Sequence, residues 1–112
     1  MPLLTKFVDI RSDHLQIVQA ILHKHLPQNT KVWVFGSRAK QMAKKFSDLD
    51  LALESKTKID NVILIDIKEA LEHSDLPYRV DVVDVSNADE TFRKIIENEK
   101  IAFPQITTKN KK

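Results

Sequence analysis

Three aspartates stand where they could hold a metal ion. Asp48 and Asp50 lie two residues apart in an alternating stretch, and Asp81 interrupts an apolar one. Residues two apart on a strand share a face, with Cα atoms about 6.5–7 Å apart. Carboxylates this close repel unless one is protonated or a cation lies between them, and such oxygen ligands suit Mg²⁺. The alternative is a strand with one solvent-exposed face, on which the aspartates serve only solubility.

A glycine and a serine precede this acidic pair. Gly36 is the sole glycine among 112 residues, and it stands twelve residues before Asp48. A Gly-Ser turn between a strand and a helix exposes backbone N–H groups, a hydroxyl and the positive helix end, which together can bind phosphate. Glycine alone is also a common turn residue. Arg38 or Lys40 could meet the phosphates, or they could simply face solvent.

The three segments together resemble a known signature. Gly36-Ser37-Arg38-Ala39, Ser47-Asp48-Leu49-Asp50-Leu51 and Val80-Asp81-Val82 are similar to the motifs of the DNA polymerase β-type nucleotidyltransferase superfamily. More narrowly, they resemble the minimal nucleotidyltransferases, small domains often encoded beside an all-helical HEPN protein. The resemblance covers about residues 12–103 and implies an α+β fold, with a small mixed sheet packed against helices.

The resemblance also implies roles for individual residues. It assigns nucleotide binding to Gly36, Ser37 and Arg38, and it assigns metal binding and catalysis to Asp48, Asp50 and Asp81. Two Mg²⁺ ions are implied, and Asp81 would also activate the acceptor hydroxyl. The implied reaction moves AMP from ATP to a hydroxyl of a partner protein. The partner would be the HEPN toxin, bound in a hetero-oligomer with this chain as its antitoxin.

One position departs from the pattern. Related domains often carry a second glycine shortly after the Gly-Ser-Arg-Ala stretch, but Lys40-Gln41-Met42 contains none. A stiffer loop would either tighten nucleotide choice or mark lost activity. An alternative function is therefore a weak or inactive nucleotide-binding subunit that neutralises its partner by forming a complex. A small-molecule or RNA nucleotidyltransferase is a third possibility.

Helical and strand patterns alternate along the chain. The predicted order is αβαβαβα, which favours a sheet covered by helices. The last helix and Ile101-Ala102-Phe103 follow the site-bearing strands and are candidates for a partner-binding surface. The predicted elements are a helix from Ser12 or Asp13 to Leu26, a strand over 31–35, a short helix over 38–44, a strand over 48–53, a helix over 59–71, a strand over 78–83 and a helix capped by Ser86.

Composition narrows the class of protein. With 42% hydrophobic and 30% charged residues, the chain suits one globular domain, predicted over residues 1–104. The net charge of +2 depends on Lys109, Lys111 and Lys112, in a basic segment (105–112) expected to be disordered. Residues 1–108 carry −1, so nucleic acid is not an expected partner. The lack of cysteine, of a long apolar run and of a signal peptide favours a cytoplasmic protein without membrane contact.

Overall fold

The computed structural model describes residues 8–105. Residues 1–7 and 106–112 lie outside this range, and so does most of the predicted basic tail. No described helix combines the length and apolar character that a membrane crossing requires. The elements are α1 (Ser12–His25), β1 (Lys31–Phe35), β2 (Leu49–Glu54), α2 (Asn61–Glu72), β3 (Val80–Asp84), α3 (Glu90–Glu99) and β4 (Ile101–Ala102).

The four strands form one mixed sheet, as expected for an α+β fold. Their order is β3-β2-β1-β4, with β2 parallel to β3 and β1 antiparallel to both of its neighbours. The antiparallel pair is joined by the segment between residues 35 and 49, whereas the parallel pair requires the α2 crossover. The site-bearing strands β2 and β3 are therefore adjacent.

Two apolar layers cover the sheet. Leu49, Leu51 and Leu53 of β2 are fully buried on one face, where they join residues of α1 and α2. The other face carries a smaller cluster, in which Phe35 and Ala52 pack with Phe92 and Ile96 of α3. The strict alternation of β2 thus matches the prediction, and it places Asp50 on the α3 face beside Ala52.

Two sequence predictions about the elements are wrong. Residues 38–44 form no α-helix, because the turn after Gly36 ends at Gln41, which adopts a left-handed conformation. Asp89, not Ser86, caps the last helix, accepting from the Phe92 N–H at 2.8 Å. Ser86 instead lies in a single 3₁₀ turn (Val85–Asn87).

Strand β4 was not predicted. It is two residues long and follows α3 directly, so its sequence carries no visible alternation. Pairing with β1 buries Ile101, and Phe103 is buried just beyond it. The two large side chains of this segment therefore belong to the core and are not available to a partner, which corrects the expectation for Ile101-Ala102-Phe103.

Candidate nucleotide and metal site

The fold brings two of the predicted carboxylates side by side. Asp50 of β2 and Asp81 of β3 are register partners, so their Cα atoms are about 4.8 Å apart and their side chains share the α3 face. Asp48 immediately precedes β2 and is exposed. Burial is the main cause that raises the pKa of the Asp50 carboxyl, followed by the charges of Asp81, Asp48 and Glu99. The site therefore concentrates negative charge.

This donor set fits a divalent cation, although it is not closed around one. Within residues 8–105, no three acidic or histidine side chains already converge as a metal cage. The Asp81 carboxylate instead accepts from Arg79 Nη2 at 2.9 Å, in an exposed pair. Exposed pairs contribute little stability, so Asp81 can leave Arg79 at small cost. The repulsion felt by Asp50 is what a cation held by hard oxygen ligands would relieve.

Gly36 lies directly against this acidic group. Its φ of +77° is a conformation that side chains other than glycine rarely adopt. A Cβ at this position would overlap Oδ2 of Asp50 and would lie 3.3 Å from its Cγ. Backbone conformation and close approach thus both require glycine here. The predicted phosphate turn and a predicted metal ligand are consequently in contact.

The turn after Gly36 is a single helical turn. The N–H groups of Ala39 and Lys40 donate to the Gly36 carbonyl at 3.0 and 3.1 Å, and the Met42 N–H donates to the Ser37 carbonyl at 2.9 Å. Gln41 then takes φ +61° and ends it. A left-handed residue commonly ends a helical turn, and it is usually glycine. Gln41 thus holds a left-handed conformation that glycine usually adopts, so the turn forms without a second glycine.

Arg38 supports this turn from behind. The side chain is 5% exposed, and its guanidinium donates to the backbone carbonyls of Asp9 at 2.7 Å and Ser47 at 2.8 Å, with a longer bond to Lys45. Its Cζ also lies 4.1 Å from the Tyr78 ring centroid. The guanidinium therefore joins the start of the described chain, the Gly-Ser turn and the segment that leads into β2. These contacts give Arg38 a structural role at the predicted site.

Glu99 is a carboxylate at this site that sequence reasoning missed. It is the last residue of α3, and its Oε1 accepts from the Gly36 N–H at 2.9 Å. Its Oε2 accepts from Lys40 Nζ at 3.2 Å. The contact spans 63 residues, and no motif links the two positions, so only the packing of α3 on the sheet reveals it. Arg79 was also missed, although it stands two residues before Asp81.

An open cleft borders the acidic pair on the β3 side. Its volume is about 1040 Å³, and Gly36 and Ser37 are not among its lining residues. Asp50 lines this cleft and is also the side chain that closely approaches Gly36. Its lining includes Asp50, Asp81, Phe35, Tyr78, Arg79 and Phe92.

Asp84 lies outside the site, as its position three residues after Asp81 predicts. It is 4% exposed, and its carboxylate accepts from the N–H of Ile59 and from the N–H and hydroxyl of Ser86. This aspartate holds the start of the α2 region against the end of β3. Its burial has a structural explanation.

Comparison with known proteins agrees with the geometry. The sequence pattern of the polymerase beta nucleotidyltransferase family matches residues 16–106. The chain is 49% identical over 89 residues to MntA of Haemophilus influenzae, a probable protein adenylyltransferase, covering 80% of this chain and 77% of MntA.

Solved structures show the same fold. A toxin-antitoxin crystal structure with AMP-PNP superposes with a TM-score of 0.68 at 21% identity, covering 82% of this chain and 73% of that one. A tri-AMPylated HEPN toxin in complex with MNT antitoxin, from Shewanella oneidensis, gives a TM-score of 0.58 at 18% identity, with 82% and 73% covered. The family match spans most of the sequence, and nearly half of the residues aligned with MntA are identical. The chain therefore belongs to the polymerase β nucleotidyltransferase family.

Proposed function

We propose that this protein transfers AMP from ATP to a hydroxyl of an all-helical HEPN partner in the cytoplasm, as the antitoxin of a toxin-antitoxin pair. The observation that carries the proposal is the contact between Gly36 and Asp50, which joins a phosphate-binding turn to a pair of in-register carboxylates. The relationship to MntA and the fold shared with toxin-antitoxin complexes support the partner and the acceptor class.

Asp48, Asp50 and Asp81 would hold two Mg²⁺ ions, with the nucleotide phosphates completing their shells. When bound, the metal supplies charge neutralisation for the entering and leaving oxygens of the displacement. Gly36 and Ser37 would orient the triphosphate beside Asp50. Arg38 would contribute by stabilising the Gly-Ser turn, because its guanidinium already donates hydrogen bonds to three backbone carbonyls.

The acceptor would approach from the β3 side. Asp81 lines the cleft there, and its carboxylate would orient the acceptor hydroxyl and accept its proton. The hydroxyl oxygen forms a bond to the α-phosphorus while the bond to the bridging oxygen of pyrophosphate breaks. Pyrophosphate leaves on the side of the Gly-Ser turn, and the proton passes from Asp81 to solvent.

A label-transfer assay tests the proposal. The purified protein is incubated with Mg²⁺, ATP labelled at the α-phosphate and the purified HEPN partner, and we expect the partner to gain label and one nucleotide of mass. Asp48→Asn should abolish transfer. Asp66→Asn is the matched control, because Asp66 is exposed on α2, which packs on the opposite face of the sheet.

The same assay separates the alternative function. Label absent from the partner, despite binding of both ATP and partner by the unmutated protein, would contradict the enzyme and favour an antitoxin that acts by forming a complex. The missing second glycine was the sequence feature behind that alternative. The left-handed Gln41 weakens this argument, because the turn is formed without glycine.

A further inference from the structure

The Glu99 carboxylate accepts hydrogen bonds from two donors at the proposed phosphate site. One is the Gly36 N–H at 2.9 Å, and the other is the Lys40 ammonium at 3.2 Å. A carboxylate is an anion with two acceptor oxygens, so it satisfies these donors as two oxygens of a phosphate would. A nucleotide that uses the Gly36 N–H must therefore displace Glu99 from it.

The position of Glu99 is electrostatically unfavourable in two respects. It is the last residue of α3, where the helix dipole presents partial negative charge and disfavours a carboxylate. It also adds a negative charge to the group around Asp50, whose pKa is raised in part by Glu99. If this contact served only to hold α3 against the Gly36 turn, a neutral hydrogen-bond acceptor would suffice and would avoid both costs.

The contact is also accessible enough to open. Lys40 and Glu99 side chains are 46% and 24% exposed, so neither is enclosed in the core. Glu99 is followed by Lys100 in extended conformation, and its side chain can turn toward solvent without unwinding a following helical turn. Displacement by a ligand therefore requires a side-chain movement and no refolding of the sheet.

We propose that Glu99 is an internal competitor of the nucleotide, holding the Gly36 N–H and Lys40 until a phosphate group replaces it and thereby setting the affinity for the nucleoside triphosphate. The proposal rests on the proposed function, since it takes the Gly-Ser turn as the phosphate site. It makes Glu99 an affinity-determining residue, which need not touch the reacting atoms.

Glu99→Gln is the test variant, because the amide can still accept from the Gly36 N–H but loses the charge that binds Lys40. We expect the Kd for Mg²⁺ with a non-hydrolysable ATP analogue to fall about tenfold, the size of effect associated with one charge-assisted hydrogen bond. Glu97→Gln is the matched control. Glu97 lies on the same helix end and pairs with Lys100 at 3.0 Å, yet it is 71% exposed.

The single glycine permits a direct observation of the contact. Labelling with ¹⁵N-glycine gives one backbone amide resonance, that of Gly36, because the chain has no other glycine. We expect this resonance to shift in Glu99→Gln and to shift when the analogue binds to the unmutated protein. It should stay in place in Glu97→Gln.

The outcomes separate the two proposals. No binding of the analogue to the unmutated protein or to either variant would overturn the proposed function, and this inference with it. Binding that is unchanged or weaker in Glu99→Gln would overturn only the inference and make Glu99 a structural tie. A Glu99→Gln protein that fails to fold, or a Gly36 resonance that stays in place as the analogue binds, would overturn it equally.

Discussion

Replacing Gly36 with alanine perturbs the site in two separable ways. The left-handed backbone costs a residue with a Cβ about 1–2 kcal/mol, and Gly36 has φ +77°. The new Cβ also overlaps Oδ2 of Asp50, which must move by roughly an ångström to reach ordinary contact. A misplacement of about 1 Å can cost about 100-fold in rate. We therefore expect moderate loss of stability and severe loss of activity.

Thermal unfolding and label transfer measure the two effects. A loss of about 1–2 kcal/mol should lower the Tm by roughly 4–10 °C in a domain of this size. Transfer by the folded Gly36→Ala protein should fall about 100-fold. The Tm increase on adding Mg²⁺ and an ATP analogue should be reduced, because this increase reports binding to the folded state.

Position 29 provides the control for the backbone effect. Asn29 has φ +69° in the turn between α1 and β1, away from the site. The stability difference between Asn29→Gly and Asn29→Ala gives the cost of a Cβ at positive φ in this same protein. A cost at Gly36 no greater than this difference, with analogue binding and transfer as in the unmutated protein, would refute the argument that contact with Asp50 matters.

Further predictions concern the charge of Asp50, the contacts of Arg38 and Tyr78 behind the site, and the left-handed residue Gln41. Because the pKa of Asp50 is raised in the folded state, ionisation of this carboxyl destabilises the folded protein. The destabilisation is absent below the ordinary pKa of 3.8 and grows as the pH rises from there through the raised pKa. Asp50→Asn should therefore raise the Tm of the ligand-free protein at neutral pH and remove its stabilisation by Mg²⁺-nucleotide; a Tm gain that shrinks as pH rises would contradict this. Arg38→Ala should lower the free energy of unfolding by about 3 kcal/mol, since it leaves partly buried backbone carbonyls without their donor. Tyr78→Phe should leave stability unchanged or raised, because the buried Tyr78 hydroxyl has no partner among the described residues; denaturant unfolding measures both. Gln41→Gly should stabilise by about 1 kcal/mol through relief of the left-handed backbone, with nucleotide affinity retained.

The candidate site residues could be proposed from sequence because their spacing is local. Asp48 and Asp50 lie two residues apart, and the period of two in an extended segment predicts that their side chains share a face, although β2 itself begins at Leu49. The buried leucines of β2 confirm that alternation. Gly36 was identified by its scarcity and by its place at a strand end, and the structure adds the reason, which is the close approach of Asp50.

Other features depend on contacts between distant segments. The in-register pairing of Asp50 with Asp81 requires β2 and β3 to be parallel neighbours, joined by α2. Strand β4 has only two residues, which is too short for a sequence pattern to predict a strand. It forms because it pairs with the free edge of β1. The structural role of Arg38 likewise depends on carbonyls contributed by three separate positions.

The sequence by itself determined the alternating face of β2, the position of the single glycine at a strand end and the family. These follow from local geometry and from motifs read along one chain. Only the tertiary structure decided that the Glu99 carboxylate accepts a hydrogen bond from the Gly36 N–H and that Gln41 adopts a left-handed conformation. The reason is physical: a carboxylate 63 residues away reaches that N–H only through packing of α3 on the sheet, and the φ of a single residue is set by the turn that contains it.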